Sequence, residues 1–227
     1  MKNINASRST FLAFGDFIQR KGHADKEMDN RQIKNIEGSK SLYLTFDFCP
    51  TSELDKPVID WLINNKINAT FFICAKWMSN NSDKDLSFID NPLFTIGGHG
   101  YNHIDPLEES DEEQINDINL AINFWKERKK EIKWYRVPYG HPTDATLQLF
   151  HKLGIQCASW SGPVLDKKSP TLDGDTFEKS NNFIKSYLKS GDLLVAHANG
   201  EGIKTLEIIK LLKDRSDSLG LEFKSLK

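Results

Sequence analysis

The sequence lacks the cysteine patterns of disulfide-stabilised and zinc-finger proteins. Only three cysteines occur among its 227 residues, and no two of them form a Cys-x-x-Cys pair. An odd number of dispersed cysteines argues against a disulfide framework and against a thiolate zinc site. We therefore expect Cys49, Cys74 and Cys157 to be small buried apolar residues, although Cys49 is close enough to Asp47 to line a site there.

Long apolar runs and an excess of one charge are also missing. No apolar run approaches the ~18 residues of a membrane span. Thirty basic and 32 acidic residues give a net charge of -2, so we expect no nucleic-acid partner. The N-terminal apolar stretch from Phe11 is broken at Asp16, and no cleavage signature of a secretory leader follows. With 38% hydrophobic and 27% charged residues, the composition is that of one soluble globular domain.

The chain divides into a polar beginning and a regularly patterned remainder. Residues 1–40 are rich in asparagine and lysine, and we interpret them as a lead-in segment that docks loosely on a domain of residues 41–227. In that domain, apolar runs of strand length alternate with segments of helical periodicity. Strands are predicted at residues 42–47, 69–74, 93–98, 133–137, 155–160, 192–197 and 221–225. Helices are predicted at residues 53–66, 110–129, 143–153, 176–189 and 204–219.

Strands that alternate with helices pair in parallel through crossover connections, which leaves a doubly wound sheet or a barrel. No Gly-x-Gly-x-x-Gly loop follows a predicted strand, and the first strand instead ends in Asp-Phe-Cys-Pro at positions 47–50. Nucleotide-binding sheets carry a glycine-rich phosphate loop at that point, so its absence favours a barrel. We predict an α/β fold, a distorted (β/α) barrel of about seven parallel strands.

Polar side chains collect where the predicted strands end. Active sites of parallel barrels lie at the C-terminal ends of the strands. A single such residue has a simpler explanation, because an aspartate there often caps the next helix and a histidine is often only hydrogen-bonded. Recurrence on five strands predicts one shared site. The residues are Asp47, His99 with His103, Arg136, Trp160 with Asp166, and His197.

Two pairs among these residues suggest particular chemistry. His99 and His103 have the i, i+4 spacing that lets two imidazoles bind one metal ion. Asp47 ends an otherwise apolar strand, where an unpaired charge would cost several kcal/mol. We therefore expect Asp47 to have a cationic partner, such as Arg136 or a metal ion. The alternative is an Asp47–Arg136 ion pair with a purely structural role.

Short motifs carry these residues in a characteristic order. They read Leu-Thr-Phe-Asp at 44–47, His-Gly-Tyr-Asn-His at 99–103, Arg-Val-Pro-Tyr at 136–139 and Leu-Val-Ala-His at 194–197. In addition, Asp166 follows Trp160 by six residues. In order and spacing, the stretch 41–227 resembles the polysaccharide deacetylases of carbohydrate esterase family four, which share the NodB homology domain.

The resemblance implies a metal-assisted hydrolysis of an N-acetyl group on an amino sugar of a glycan. Asp47 would be the general base, with Arg136 holding its carboxylate. His197, oriented by Asp166, would protonate the leaving amine. The backbone N–H of Tyr139 would help to hold the oxyanion.

The resemblance also implies a divalent metal ion, most often zinc, bound by His99 and His103. Members of this family usually have a second aspartate as the third ligand, and that position is Phe48 here. Either Asp47 joins the coordination, or another side chain or water molecules complete it, or no metal binds.

The leading hypothesis is a carbohydrate deacetylase, a hydrolase of carbon–nitrogen bonds other than peptide bonds, acting on peptidoglycan, another acetylated glycan or a glycolipid. The alternative is a catalytically silent barrel that binds a glycan or a protein partner, because Phe48, Gly100 and Lys167 depart from the family motifs. A third hypothesis is a hydrolase of another amide or ester on the same scaffold. The resemblance points to the cell envelope, although no leader is visible. The sequence does not indicate the oligomeric state.

Overall fold

A computed structural model of the protein describes residues 31–51, 53–82, 84–166, 176–199 and 204–227. Its strands are β1 (Gln32–Ile33), β2 (Ser41–Phe48), β3 (Ala69–Ile73), β4 (Phe94–Gly98), β5 (Trp134–Tyr135), β6 (Gln156–Ala158), β7 (Leu193–Ala196) and β8 (Glu222–Phe223). Its helices are α1 (Lys56–Asn64), α2 (Ala75–Asn80), α3 (Asp111–Glu127), α4 (Asp144–Leu153), α5 (Thr176–Ser186) and α6 (Thr205–Leu219).

The strands form one curled, parallel sheet. Their order is β1-β6-β5-β4-β3-β2-β7, and β8 pairs with β2 outside this order. Every one of these pairings is parallel, because a helix or a long connection returns the chain to the same edge each time. The predicted distorted (β/α) barrel is therefore confirmed. All seven predicted strands are present, six of them shorter than predicted.

The sequence pattern does not predict β1, which lies in the lead-in segment. β1 pairs with β6, with Gln32 opposite Cys157. Two residues further on, an isolated bridge between Asn35 and Asp192 joins this stretch to the beginning of β7. Residues 32–35 thus connect the two ends of the sheet order. The remainder of the lead-in segment, residues 1–30, lies outside the described residues.

Local sequence features begin and end the helices. Ser110 and Glu113 form a reciprocal capping box at the beginning of α3, as their spacing predicts. Gly154 and Gly220 end α4 and α6 in the left-handed conformation that an L side chain disfavours. The six-residue helix α2 is not predicted, because it is too short to show a helical period.

The hydrophobic core lies between the sheet and its helices. The two central strands β2 and β3 are buried along almost their whole length, as expected for strands covered on both faces. Aromatic side chains fill much of the core, among them Phe46, Phe71, Trp77 and Trp125. None of the helices in the described ranges is both long enough and apolar enough to cross a membrane.

Candidate active site

The carboxyl ends of four parallel strands bring polar side chains to one rim of the barrel. Asp47 lies near the end of β2, and His99, Arg136 and His197 directly follow β4, β5 and β7. Each of these four side chains belongs to a residue that is at most 8% exposed. The structure thus brings together residues that the sequence separates by up to 150 positions, as 47 and 197 are.

Arg136 is a buried guanidinium that fixes Asp47. Its Nη1 donates to Asp47 Oδ1 at 2.7 Å and to Thr45 Oγ1 at 2.8 Å. Its Nη2 donates to the Ser159 carbonyl at 2.9 Å, and its Cζ lies 4.3 Å from the centre of the Phe72 ring. Charge-assisted hydrogen bonds to several partners hold the guanidinium in one orientation, and the carboxylate is held with it.

Asp47 favours the ionised form although it is buried. Burial alone would raise the pKa of this carboxyl, but the charge and the hydrogen bond of Arg136, together with electrostatic interactions with His99 and His197, outweigh it. The pKa of Asp47 therefore lies below its ordinary value. The buried amide of Asn199 donates to the Asp47 carbonyl at 2.8 Å and fixes the strand end. Asn199 is not predicted as a site residue from the sequence, because a lone asparagine after a strand belongs to none of the motifs.

His99 is a buried imidazole with one nitrogen already engaged. Its Nδ1 donates to the Arg136 carbonyl at 2.8 Å, which leaves the lone pair on Nε2. Burial lowers the pKa of His99, although the charge of Asp47 opposes this effect. A neutral imidazole whose other nitrogen is held by a backbone carbonyl is the usual form of a metal-ligating histidine.

The loop between the two histidines begins at Gly100, whose φ is +79°. A Cβ atom at this position would lie 2.9 Å from Asp117 Oδ2, so the Ser or Thr of the family motif does not fit this backbone. The Gly100 N–H donates to the Tyr135 hydroxyl at 2.7 Å. Asp117, from α3, accepts hydrogen bonds from the next two backbone N–H groups, both at 2.8 Å. These contacts fix the path of the chain to His103.

His103 lies against both His99 and Cys49. The two imidazole centres are 4.8 Å apart, and His103 Nε2 lies 3.3 Å from Cys49 Sγ. One ligand atom from each of the three residues lies within 4.8 Å of the other two. Imidazole nitrogen and thiolate sulfur are ligands that zinc prefers, so these residues fit the divalent metal that the resemblance implies. Cys49 is partly exposed, contrary to the expectation of a buried residue, and Cys–Cys spacing carries no signal of a mixed cysteine–histidine cluster.

His197 is held by a buried carboxylate. Its Nδ1 donates to Asp166 Oδ1 at 2.8 Å, and its backbone N–H donates to Asp166 Oδ2 at 2.6 Å. The Thr205 hydroxyl also donates to Asp166 Oδ2, at 2.7 Å. Asp166 is fully buried, so both of its oxygens are committed to these donors. The arrangement fixes the imidazole plane with Nδ1 toward the carboxylate, as a carboxylate–histidine pair does in acid–base catalysis.

Tyr139 lies in a tight turn that follows Arg136 by three residues. Its backbone is in the left-handed region, with φ 60° and ψ -5°, which is uncommon for a residue other than glycine. Its ring is 4.9 Å from that of His103, and the residue is 52% exposed. Trp160 packs on the next residue, Gly140, where a Cβ atom would lie only 2.5 Å from the indole. The turn is thus held beside the histidine pair.

The other two cysteines are buried, as expected. Cys74 Sγ donates to the Tyr101 carbonyl at 2.8 Å, and burial raises the pKa of this thiol to about 11. Such a thiol is protonated near neutral pH and is a poor nucleophile. Cys157 lies in β6, opposite Gln32 of β1 and Tyr135 of β5, and it is not part of the cluster of Cys49, His99 and His103. Lys167, at the position of a family tryptophan, lies outside the described residues.

Comparison with known proteins gives consistent matches. Residues 34–158 match the family described as polysaccharide deacetylase. A peptidoglycan-N-acetylglucosamine deacetylase of Bacillus cereus is 29% identical over 171 residues, which are 74% of this chain and 76% of that protein. The structure of Bacillus subtilis PdaA, a family 4 carbohydrate esterase, has a TM-score of 0.69 at 20% identity, over 85% of this chain and 81% of that one. A family 4 carbohydrate esterase pseudoenzyme from Bacillus anthracis has a TM-score of 0.66 at 15% identity, over 86% of this chain and 66% of that one.

The structural likenesses, at these low identities, support the fold alone. The sequence match is more informative, because it spans more than half of the chain and includes the strand ends that carry Asp47, His99, His103 and Arg136. The chain belongs to the polysaccharide deacetylase family.

Proposed function

We propose that the protein hydrolyses the N-acetyl group of an amino sugar in a glycan or glycolipid. The observation that carries this proposal is the presence of two acid–base groups at one rim, each with its own orienting partner. Asp47 is paired with Arg136, and His197 is paired with Asp166. Hydrolysis of an amide needs one group to take a proton from water and another to give a proton to the leaving amine.

Asp47 is the proposed general base. Its pKa is held below the ordinary value, so it is ionised near neutral pH. Arg136 engages Oδ1, which leaves Oδ2 as the oxygen that accepts the proton of water. Arg136 is itself held by Thr45 and Ser159, so it keeps the carboxylate in place while the charge of the reacting groups changes.

His197 is the proposed general acid. The hydrogen bond from Nδ1 to the buried Asp166 carboxylate holds the ring in one orientation, from which Nε2 would donate a proton to the departing amine. Thr205 and the His197 backbone hold Asp166 in turn. For the oxyanion, we propose the backbone N–H of Tyr139, and this role is supported by a left-handed turn held beside His103.

His99 and His103 are the proposed metal ligands, and zinc is among the ions that imidazole nitrogen binds well. With a divalent ion held by these two imidazoles, the site would supply an acidified water molecule and polarisation of the acetamide carbonyl. The Arg136 carbonyl orients His99, and the turn that carries Tyr139 packs on His103. Arg136 thus orients His99 through its carbonyl and the proposed base Asp47 through its guanidinium.

The test is release of acetate from chitooligosaccharides and from peptidoglycan fragments. We expect Asp47→Asn and His197→Ala each to lower the rate by about 10²–10⁴-fold, because each removes one proton-transfer group. Asp60→Asn and His151→Ala are matched controls, since both residues lie on helices and only at or near the surface. Rates that respond equally to the control and the site substitutions would contradict the assigned roles.

A second candidate function is glycan binding without turnover. It is favoured by Phe48, which stands at the position of the family's second aspartate and cannot bind a metal. The likeness to a Bacillus anthracis pseudoenzyme is compatible with it. Binding of the same oligosaccharides by calorimetry, with no acetate released and no hydrolysis across a panel of acyl esters and amides, would favour this candidate.

A further inference from the structure

The family motif has its second aspartate at the position of Phe48. Here the next residue, Cys49, which directly follows β2, lies beside the histidines instead. Phe48 is fully buried, and its ring packs 4.7 Å from that of Trp77 and 5.9 Å from that of Phe71. The side chain therefore belongs to the core, on the opposite face of the strand from Asp47. Cys49, one residue later, leaves the strand and brings its sulfur to 3.3 Å from His103 Nε2.

The spacing of the three donor atoms is close to that of a metal site. In a tetrahedral zinc site with bonds of about 2.0–2.3 Å, neighbouring ligand atoms are about 3.3–3.8 Å apart. The distance of 3.3 Å between Cys49 Sγ and His103 Nε2 already has this length. No two of the donor atoms of Cys49, His99 and His103 are more than 4.8 Å apart, so closure to a common ion needs a movement of about 1 Å.

We propose that Cys49 is the third metal ligand of this protein. Its thiolate takes the place of the carboxylate that Phe48 cannot supply, and the set becomes one sulfur and two imidazole nitrogens. The thiol gives its proton to solvent when the ion binds, because the thiolate is the ligating form. This assignment rests on the metal site of the proposed function, but the test below does not depend on catalysis.

Two consequences distinguish this ligand set from a carboxylate set. A thiolate is a soft ligand, so the site selects zinc or cobalt over magnesium or manganese. In addition, the third ligand is supplied without Asp47, whose Oδ1 is engaged by Arg136. The carboxylate of Asp47 therefore remains a base, and the open question of what completes the coordination is answered by Cys49.

The test uses cobalt(II) as a spectroscopic probe. The purified protein is stripped with a chelator and titrated with cobalt(II) chloride. We expect one ion per chain, the intense visible absorption of a tetrahedral site and a near-ultraviolet band from thiolate-to-cobalt charge transfer. Cys49→Ser should lose the charge-transfer band and bind cobalt at least about tenfold more weakly. Cys49→Asp should regain affinity without the band.

Cys157→Ala is the matched control, because Cys157 is a buried cysteine outside the cluster of Cys49, His99 and His103, and it should titrate like the parent protein. Circular dichroism checks that each variant is folded. A charge-transfer band that persists in Cys49→Ser, a bound ion without the band in the parent protein, or no bound ion would each overturn the assignment.

The outcomes also separate this proposal from the proposed function. Cobalt binding through Cys49 without acetate release from any substrate would refute deacetylation and leave the metal site standing. Acetate release that depends on Asp47 and His197, in a protein with no thiolate band, would refute the role of Cys49 alone.

Discussion

Replacing Arg136 by methionine removes a buried cation while keeping a long apolar side chain. Arg136 is 1% exposed, and its partner Asp47 is 8% exposed. The substitution leaves the carboxylate of Asp47 unpaired in a poorly solvated position. It also removes the guanidinium N–H groups that donate to the Thr45 hydroxyl and the Ser159 carbonyl. An uncompensated buried charge is among the few defects that cost a protein several kcal/mol.

We expect Arg136→Met to lower the free energy of unfolding by about 3–5 kcal/mol. Asp47→Asn removes the other charge, and the double variant contains neither. The two charges are in direct contact at 2.7 Å, so the losses should not add. A coupling energy of about 1–3 kcal/mol is expected from the double-mutant cycle, because Asp47→Asn removes the buried charge that Arg136→Met leaves unpaired.

The assay is urea unfolding followed by far-ultraviolet circular dichroism. Lys56→Met is the matched control, because Lys56 pairs with Asp60 four residues away, with side chains that are 68% and 49% exposed. Such a surface pair contributes only about 0.3–0.5 kcal/mol. If Arg136→Met costs no more than Lys56→Met, or if the two buried substitutions are additive, Arg136 does not compensate the buried charge of Asp47.

Two further substitutions test individual contacts. The Cys74 thiol has a pKa of about 11 in the folded protein and an ordinary value of 9.0, so between these values only the unfolded chain loses the proton. The stability that this thiol contributes is present below pH 9 and is lost as pH rises to about 11, about 2–3 kcal/mol in all. Raising the pH over this range should therefore lower the free energy of unfolding, measured in urea, more for the parent protein than for Cys74→Ala. In Gly100→Ala, the new Cβ meets Asp117 at 2.9 Å in a left-handed backbone, and we expect a loss larger by about 1 kcal/mol or more than that of Gly154→Ala.

Each of these two comparisons has its own control. Gly154 has a φ of +68°, and no atom lies within 4 Å of its added Cβ, so Gly154→Ala measures the cost of the backbone conformation alone. Equal losses of thermal stability in Gly100→Ala and Gly154→Ala would show that the Asp117 side chain moves aside without an energetic cost. For the thiol, a parent protein and a Cys74→Ala variant with parallel pH dependence would show that Cys74 titrates as an ordinary thiol.

The fold and the rough position of the site follow from local features of the sequence. Alternation of apolar runs with helical periodicity is visible within ten to twenty residues, and it predicts a parallel sheet because parallel strands need crossovers. The ends of those runs carry Asp47, His99, Arg136 and His197, and the geometry of parallel strands brings such ends to one rim. These conclusions need only neighbours along the chain, so one sequence is enough for them.

Other features depend on contacts that no local pattern encodes. β1 has only two residues and forms because Gln32 and Ile33 pair with β6, which is distant in the sequence. The orientation of Asp47 depends on Arg136, 89 residues away. The Cys49 sulfur reaches His103, 54 residues away, because Phe48 is drawn into the core and the chain turns out of the strand after it.

The sequence by itself determined the alternation of strands and helices and the set of polar residues at the strand ends, because both depend on short-range periodicity. Only the tertiary structure decided which polar atoms meet. Hydrogen bonds and ligand contacts act over about 3 Å, and residues far apart in the chain reach that distance only when the packing of the whole barrel fixes their positions. That is why Cys49 looks like an ordinary core cysteine in the sequence and lies beside two histidines in the folded protein.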